Sequence, residues 1–225
     1  MDIDPDVIVL FELGPLRINA TLVFSWVVML LLIGLAWLVT RRLRVTPPRS
    51  RWQILLEAIV GYMREQIREV TGHDASRYLP FIGTLFLYIS LSNLLAFVPG
   101  YHPPTGSVST TGALALCVFL AVPTYGIAQL GVGGYLKRYL QPTPLMLPFH
   151  LLGELSRTLA LAVRLFGNVM SGTMIAAVLL SVTPLIFPAV MQALGLLIGQ
   201  IHAYIFAVLA LVYIGSASRR QEEQS

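Results

Sequence analysis

A permanently charged side chain inside a long apolar run needs a partner. Arg164 stands in LALAVRLFGNVMSG, Leu159 to Gly172, with Asn168 one helical turn further on. Its guanidinium stays protonated because its pKa is above about 12. A charge at the centre of a membrane helix costs on the order of 3 kcal/mol. The residues a turn away on either side are Ala160, Leu161, Gly167 and Asn168, and downstream no acid occurs before Glu222. The expected chemistry is electrostatic: Arg164 meets water, or it pairs with a carboxylate that another protein supplies. Ala160, Ala162, Gly167, Ser171 and Gly172 surround it with small side chains, which let a second helix approach closely.

Other polar residues share these apolar runs. His150, Glu154 and Arg157 precede Arg164, and Gln192, Gln200, His202, Tyr204 and Tyr213 follow in the next run. Glu154 and Arg157 are spaced for an ion pair along a helix, so Arg157 is read as a structural charge. His202 has two readings. It is either a proton-handling group, since imidazole titrates near pH 6.5, or a neutral histidine satisfied inside a helix interface. His102 and His150, near the ends of membrane runs, are read as structural. No His/Cys/Asp/Glu set has metal-ligand spacing, and no nucleophile–base set or phosphate-binding glycine loop is evident, so no cofactor is expected. Gly133-Gly134 is read as a turn signal. Cys117 is the single cysteine, which rules out an internal disulfide; it is expected as a small buried filler.

The elements that must hold these residues are membrane helices. The chain has 225 residues, 56% hydrophobic and 12% charged, about half the charged share of an ordinary soluble domain; its mean hydropathy is +0.76. The expectation is an all-α polytopic membrane protein with about five membrane helices in a single membrane domain, residues 1–225. The spans are placed at 18–39, 78–98 and 108–130, followed by a long, strongly tilted C-terminal helical hairpin at 145–182 and 189–216. Its first arm would be about 55 Å long against a hydrocarbon core of about 30 Å. Residues 51–70 differ: Trp52, Leu55, Ile59, Met63 and Ile67 recur at helical spacing opposite Glu57, Arg64, Glu65 and Arg68. This is the pattern of an amphipathic helix on the membrane surface. Pro99-Gly100 and the segment GVGGYLKRYLQPTP are read as loops. The acidic start MDIDPDVIVLFELGP lacks the basic region of a cleavable signal, and no internal repeat of the transporter kind is visible.

Charge is sorted by side. With the N-terminus outside, Arg41, Arg42, Arg44, Arg49, Arg51, Arg64, Arg68, Arg77, Lys137, Arg138, Arg219 and Arg220 fall inside, which is 12 of the 15 basic residues. Arg17 alone falls outside, and Arg157 and Arg164 lie within the long run. This asymmetry places the C-terminus in the cytoplasm. The net charge of +4 is therefore a membrane signal rather than a nucleic-acid one.

ELSRTLALAVRLFGNVMSG, followed by HAYIFAVLALVYI, resembles subunit a of the rotary F-type ATP synthases, from about Pro148 to Ile214. SNLLAFVPG at 92–100 and PPTGSVSTTGALAL at 103–116 resemble that family's paired helices beside the outer half-channel. RINATLVFSWVVM and RYLPFIGTLF are similar to its N-type, sodium-linked branch. The resemblance implies a stator subunit of the bacterial inner membrane that is not itself catalytic, the ATP chemistry lying on other subunits. Its implied partners are the ring of c subunits, the peripheral-stalk b subunits, the rest of the complex and membrane lipid. Two aqueous half-channels would carry H+ or Na+ to and from ring carboxylates, and Arg164 would separate them. Asn168 matches the motif's asparagine as a channel wall, and Asn93 and Ser109 match polar positions of the outer path. Gln200 is assigned to the ion path with them. The chain departs from the family pattern in three places. Thr173 replaces a Glu or His, His202 replaces a Gln, and His150 replaces a carboxylate, with Glu154 one turn later serving the inner path. The alternatives are a stand-alone secondary transporter in which Arg164 binds an anionic substrate, and a membrane scaffold, which leaves the unpaired arginine unexplained.

Overall fold

The structure, a computed structural model, describes residues 9–13, 16–41, 51–72, 75–98, 100–140, 143–182 and 187–218. Arg42, Arg44, Arg49, Arg219 and Arg220, assigned above to the inner side, lie outside the described residues.

The chain enters through a hairpin that the sequence reading did not expect. Strand β1 (Val9–Leu13) pairs antiparallel with β2 (Leu16–Asn19), with Leu13 opposite Leu16 and Val9 opposite Asn19. The alternation in Leu16-Arg17-Ile18-Asn19 is the period of a strand, and Gly14-Pro15 is turn punctuation between the two runs. Ile18 therefore belongs to β2, and helix α1 (Ala20–Thr40) starts after it.

Four of the described helices are long and apolar enough to cross a membrane, and a fifth is apolar but shorter. Together with one amphipathic helix they establish an all-α polytopic membrane fold. Helix α1 buries Val28 but exposes Trp26, Leu30, Ile33 and Trp37, as a helix in lipid does. At its far end the Arg41 guanidinium lies 4.8 Å from the Trp37 ring centre, a cation–π contact that suits the interface. Helix α2 (Arg51–Thr71) is two-faced: Gln53, Met63, Ile67 and Thr71 are buried, while Arg64, Glu65, Arg68 and Glu69 are exposed. Helix α3 (Leu79–Leu95) starts with Pro80 in its first turn, where the missing N–H costs nothing. It buries Ile82, Leu85 and Ile89.

Helix α4 (Val108–Leu140) corrects the reading of GVGGYLKRYLQPTP as a loop. Helix continues through Gly133 and Gly134 to Leu140, interrupted at Gly131, whose φ of 73° and ψ of 164° break the path. A side chain at that φ/ψ is strained, so glycine makes the kink. The segment after the kink folds back. The Tyr135 ring comes within 2.6 Å of where a Cβ on Gly126 would stand. Cys117, expected to be buried, is exposed on α4; its neighbours Ala115 and Val118 take the inward positions instead.

Helices α5 (Leu147–Val182) and α6 (Phe187–Ser218) are 36 and 32 residues long, about 54 and 48 Å at 1.5 Å per residue. They run antiparallel, with Arg164 opposite His202 and Arg157 opposite Tyr213. Helix α6 is the centre of the molecule. Its buried stripe contains Gly199, Ala203, Ala207 and Ala210, and these small residues bring α3 and α4 close to it. Leu161, Leu165, Leu211, Ile214, Ile89 and Val118 complete the core.

The packing defines two ends. At one, the Tyr125 hydroxyl donates to the Arg77 carbonyl at 3.3 Å, and Thr71 of α2 packs on Gly215 of α6. At the other, the Phe24 ring meets Tyr101 edge-on at 5.0 Å. Burial, with Tyr88 nearby, pushes the Tyr101 phenol above its ordinary pKa, so it stays protonated.

Candidate functional site: an arginine cleft between two polar regions

Arg164 lies on the exposed side of α5, in a bare strip with Ala160, Val163, Gly167 and Ser171. The strip stays uncovered because the inward side of α5 is taken by Leu161 and Leu165, each 1% exposed. Among the described residues no acid pairs with the guanidinium. Arg164 and His202 instead line one small cleft together with Leu161, Leu165, Ile205 and Phe206. His202 is half-buried, one turn along α6 from the Ile198 carbonyl that its ring faces.

Two polar regions flank the cleft along the hairpin. Towards the end marked by Arg77, a cavity of about 340 Å³ opens between α4, α5 and α6, lined among others by His150, Glu154, Arg157, Thr158, Tyr213 and Ser216. The Arg157 guanidinium sits 5.8 Å from the Tyr213 ring centre. His150 is exposed and Glu154 half-buried. Two of the singled-out residues, His150 and Glu154, are thus brought to one cavity.

Towards the other end lie Asn168, Thr173, Asn93, Ser109 and Gln200. Asn168 is half-buried, and its carbonyl accepts from Ser171 Oγ at 3.1 Å. Thr173 is exposed and donates to the Met170 carbonyl at 2.9 Å, so its hydroxyl serves its own helix. Ser109 is exposed, with its Oγ 2.6 Å from that of buried Ser107. Asn93 is 6% exposed. Its Nδ2 donates to the Gly199 carbonyl at 2.9 Å, and its Oδ1 accepts from Thr105 Oγ1 at 3.2 Å. Gln200 Nε2 donates to the Ser90 carbonyl at 3.0 Å. The sequence reading missed Gly199, Ser90 and Thr105. A buried stripe of small residues on α6 is visible in the sequence, but which helix lies against it is not.

Among the described residues no group of His, Cys, Asp and Glu side chains is placed to hold a metal ion. What the arrangement can do is electrostatic. A fixed cation and an imidazole share a cleft beside a face open to another chain, with polar regions on both sides along the helix axis.

Fold and cleft define a class, the polytopic α-helical membrane protein with a charged site inside its spanning region. Comparison with known proteins narrows it. The family described as ATP synthase A chain matches residues 22–215. The chain is 59% identical over 219 residues to ATP synthase subunit a 2 of Acaryochloris marina, covering 97% of this chain and 94% of the relative. It is 56% identical to ATP synthase subunit a 1 of Chlorobaculum parvum, covering all of both chains. It is 54% identical to ATP synthase subunit a 1 of Crocosphaera subtropica, covering 100% of this chain and 98% of the relative. The chain belongs to the ATP synthase A chain family and is a bacterial membrane protein. That membership sets aside the stand-alone transporter.

Proposed function

We propose that this subunit couples the movement of a cation across the membrane to rotation of a ring of c subunits, with Arg164 as the coupling group. One observation carries the reading: a membrane arginine exposed on a bare, small-residue strip with no acid beside it. A charge so placed needs a counter-charge from outside the chain, and a ring carboxylate passing along α5 would supply it.

The electrostatics give the mechanism. A carboxylate about 4 Å from Arg164, at an effective dielectric near 20, gains about 4 kcal/mol in its ionised form. That lowers its affinity for a proton or bound cation roughly a thousandfold, at about 1.4 kcal/mol per factor of ten. A ring site therefore releases its ion before it passes Arg164 and reloads after it. The same fixed charge repels a cation attempting to cross directly. Each charge moved is worth about 2.3 kcal/mol per 100 mV of membrane potential.

The two polar regions support two half-channels. The cavity at His150 and Glu154 would be the inner one, because it lies at the end that carries Arg77. Asn168, Thr173 and Ser109 would border the outer one, with Asn93 and Gln200 packed behind them, and His202 would stand between its end and Arg164. On this reading the N-terminus would lie outside and the C-terminus in the cytoplasm, as the asymmetry of basic residues implies, with the peripheral-stalk b subunits and the remaining complex as further partners.

The test is Arg164→Ala in the assembled complex. ATP-driven ion pumping is expected to vanish while the subunit still assembles. Full coupled pumping by that variant would remove the mechanism.

A further inference from the structure

The C-terminal end of α3 and the middle of α6 are fastened more firmly than an ion path requires. The Asn93 amide is engaged at both ends, on the Gly199 carbonyl and on Thr105 Oγ1. One turn earlier on α3, Ser90 and Gln200 close a reciprocal pair. The Ser90 hydroxyl donates to Gln200 Oε1, and Gln200 Nε2 donates back to the Ser90 carbonyl. Gly199 is buried, and a Cβ there would stand 3.0 Å from both Cβ and Cγ of Asn93. No residue larger than glycine fits unless Asn93 moves. The turn that carries Thr105 continues into Gly106, where a Cβ would stand 3.3 Å from Val169 of α5. A polar knot thus joins α6 and α3, and the turn tied into it packs on α5 beside Asn168.

His202 follows Gly199 by three residues, less than one turn. A slip of one residue in α6 would rotate its side chains by about 100° and shift them by about 1.5 Å, which takes the imidazole out of the Arg164 cleft. We propose that Asn93 and Gly199, supported by the Ser90–Gln200 pair, are positioning residues that fix the rotation and height of α6 so that His202 stands opposite Arg164. The proposal rests on the coupling role given to Arg164. It assigns these residues to geometry rather than to contact with the ion.

The test compares Gly199→Ala and Asn93→Ala with Gly34→Ala, a control on α1 where a Cβ meets nothing within 4 Å. ATP-driven pumping is measured in vesicles containing the whole complex, titrated with sodium at fixed pH and with pH at low sodium. In parallel, Leu161→Cys with Phe206→Cys, in a Cys117→Ser background, reports the register of α5 against α6 by disulfide yield in the membrane-inserted subunit. The expected result is a fall in maximal pumping of about ten- to a hundredfold, the size of effect that a displacement of about 1 Å produces at a reacting centre. The half-saturating sodium and proton concentrations should stay within about twofold of the parent's, disulfide yield should fall in both variants, and Gly34→Ala should match the parent. A changed half-saturation with unchanged disulfide yield would make these residues walls of the ion path and overturn the proposal. So would a lower maximal rate with unchanged yield, or no change in any reading. A variant that fails to assemble is judged on disulfide yield alone. The parent reading fails separately, through normal pumping by Arg164→Ala.

Discussion

Arg164 and His202 share a cleft but have different signatures in the sequence. The arginine is legible without any structure, because neither its helical neighbours nor the whole of the next apolar run offers an acid. The histidine is ambiguous in sequence, and its place in the Arg164 cleft is what favours a role beside the ion path. His202→Ala is therefore expected to reduce ATP-driven flux about tenfold, equivalent to about 1.4 kcal/mol, without uncoupling pumping from hydrolysis. His202→Gln, which keeps a polar head near the same place, should recover most of that loss. Thr173→Ala should lower flux less, because the Thr173 hydroxyl already bonds the Met170 carbonyl. Flux is read as ion uptake per ATP hydrolysed together with its absolute rate, and an unchanged rate for either alanine variant removes that residue from the path. Gly199 shows the opposite case. Nothing in GLLIGQIHAY marks one glycine as the point of closest approach to another helix, because that depends on the partner's Asn93.

Helix α4 shows where local signals mislead at the scale of elements. Gly131, Gly133 and Gly134 look like a loop, since glycine weakens a helix by about 1 kcal/mol per residue. In the structure one of the three makes the break and the helix resumes, because the segment that carries Tyr135 folds back onto the bundle. Most of the resumed segment is exposed, Val132 and Leu136 among it, and the half-buried Tyr135 makes the return contact on Gly126, a contact that cannot be read from a window of sequence. The amphipathic pattern of α2 was legible for the converse reason: its buried and charged faces are written at the helical period within one segment. Two substitutions test the α4 account. Gly131→Ala places a Cβ at a positive φ and should cost about 1–3 kcal/mol, lowering the thermal midpoint of the purified complex. Gly126→Ala meets the Tyr135 ring, 2.6 Å from the new Cβ, and should destabilise by a similar amount, about 1–3 kcal/mol for overpacking. Adding Tyr135→Ala should return part of that loss. Equal midpoints for Gly126→Ala with and without the tyrosine would mean that the fold-back does not hold in solution.

Seen as a whole molecule, the chain arranges its charges along the hairpin in a way that bears on which ion it handles. Glu154 is the single acid in α5 and α6, and it lies in the cavity at the Arg77 end. On the other side of Arg164, the residues bordering the proposed outer path are Asn168, Thr173 and Ser109, all hydroxyls and amides. Of the departures from the family pattern, Thr173 in place of a Glu or His runs the same way, whereas His202 in place of a Gln adds a titratable group, next to Arg164 itself. A proton wire is best served by groups that titrate near neutral pH, whereas neutral oxygens suit a cation that carries hard oxygen ligands with it. The expected ion is sodium. The ring carboxylates of the assembled complex should then be protected by sodium from a carboxylate-modifying reagent, because an ion held at the carboxylate blocks its protonation and attack. Modification is followed as loss of ATP hydrolysis against time at fixed pH. Inactivation should slow progressively as sodium rises, and potassium at the same ionic strength should not reproduce the effect. Arg164→Ala should leave this protection in place while abolishing pumping, because the arginine governs release of the ion rather than its binding on the far side of the ring. Inactivation that responds to pH and is indifferent to sodium would assign the path to protons and leave the role of Arg164 standing.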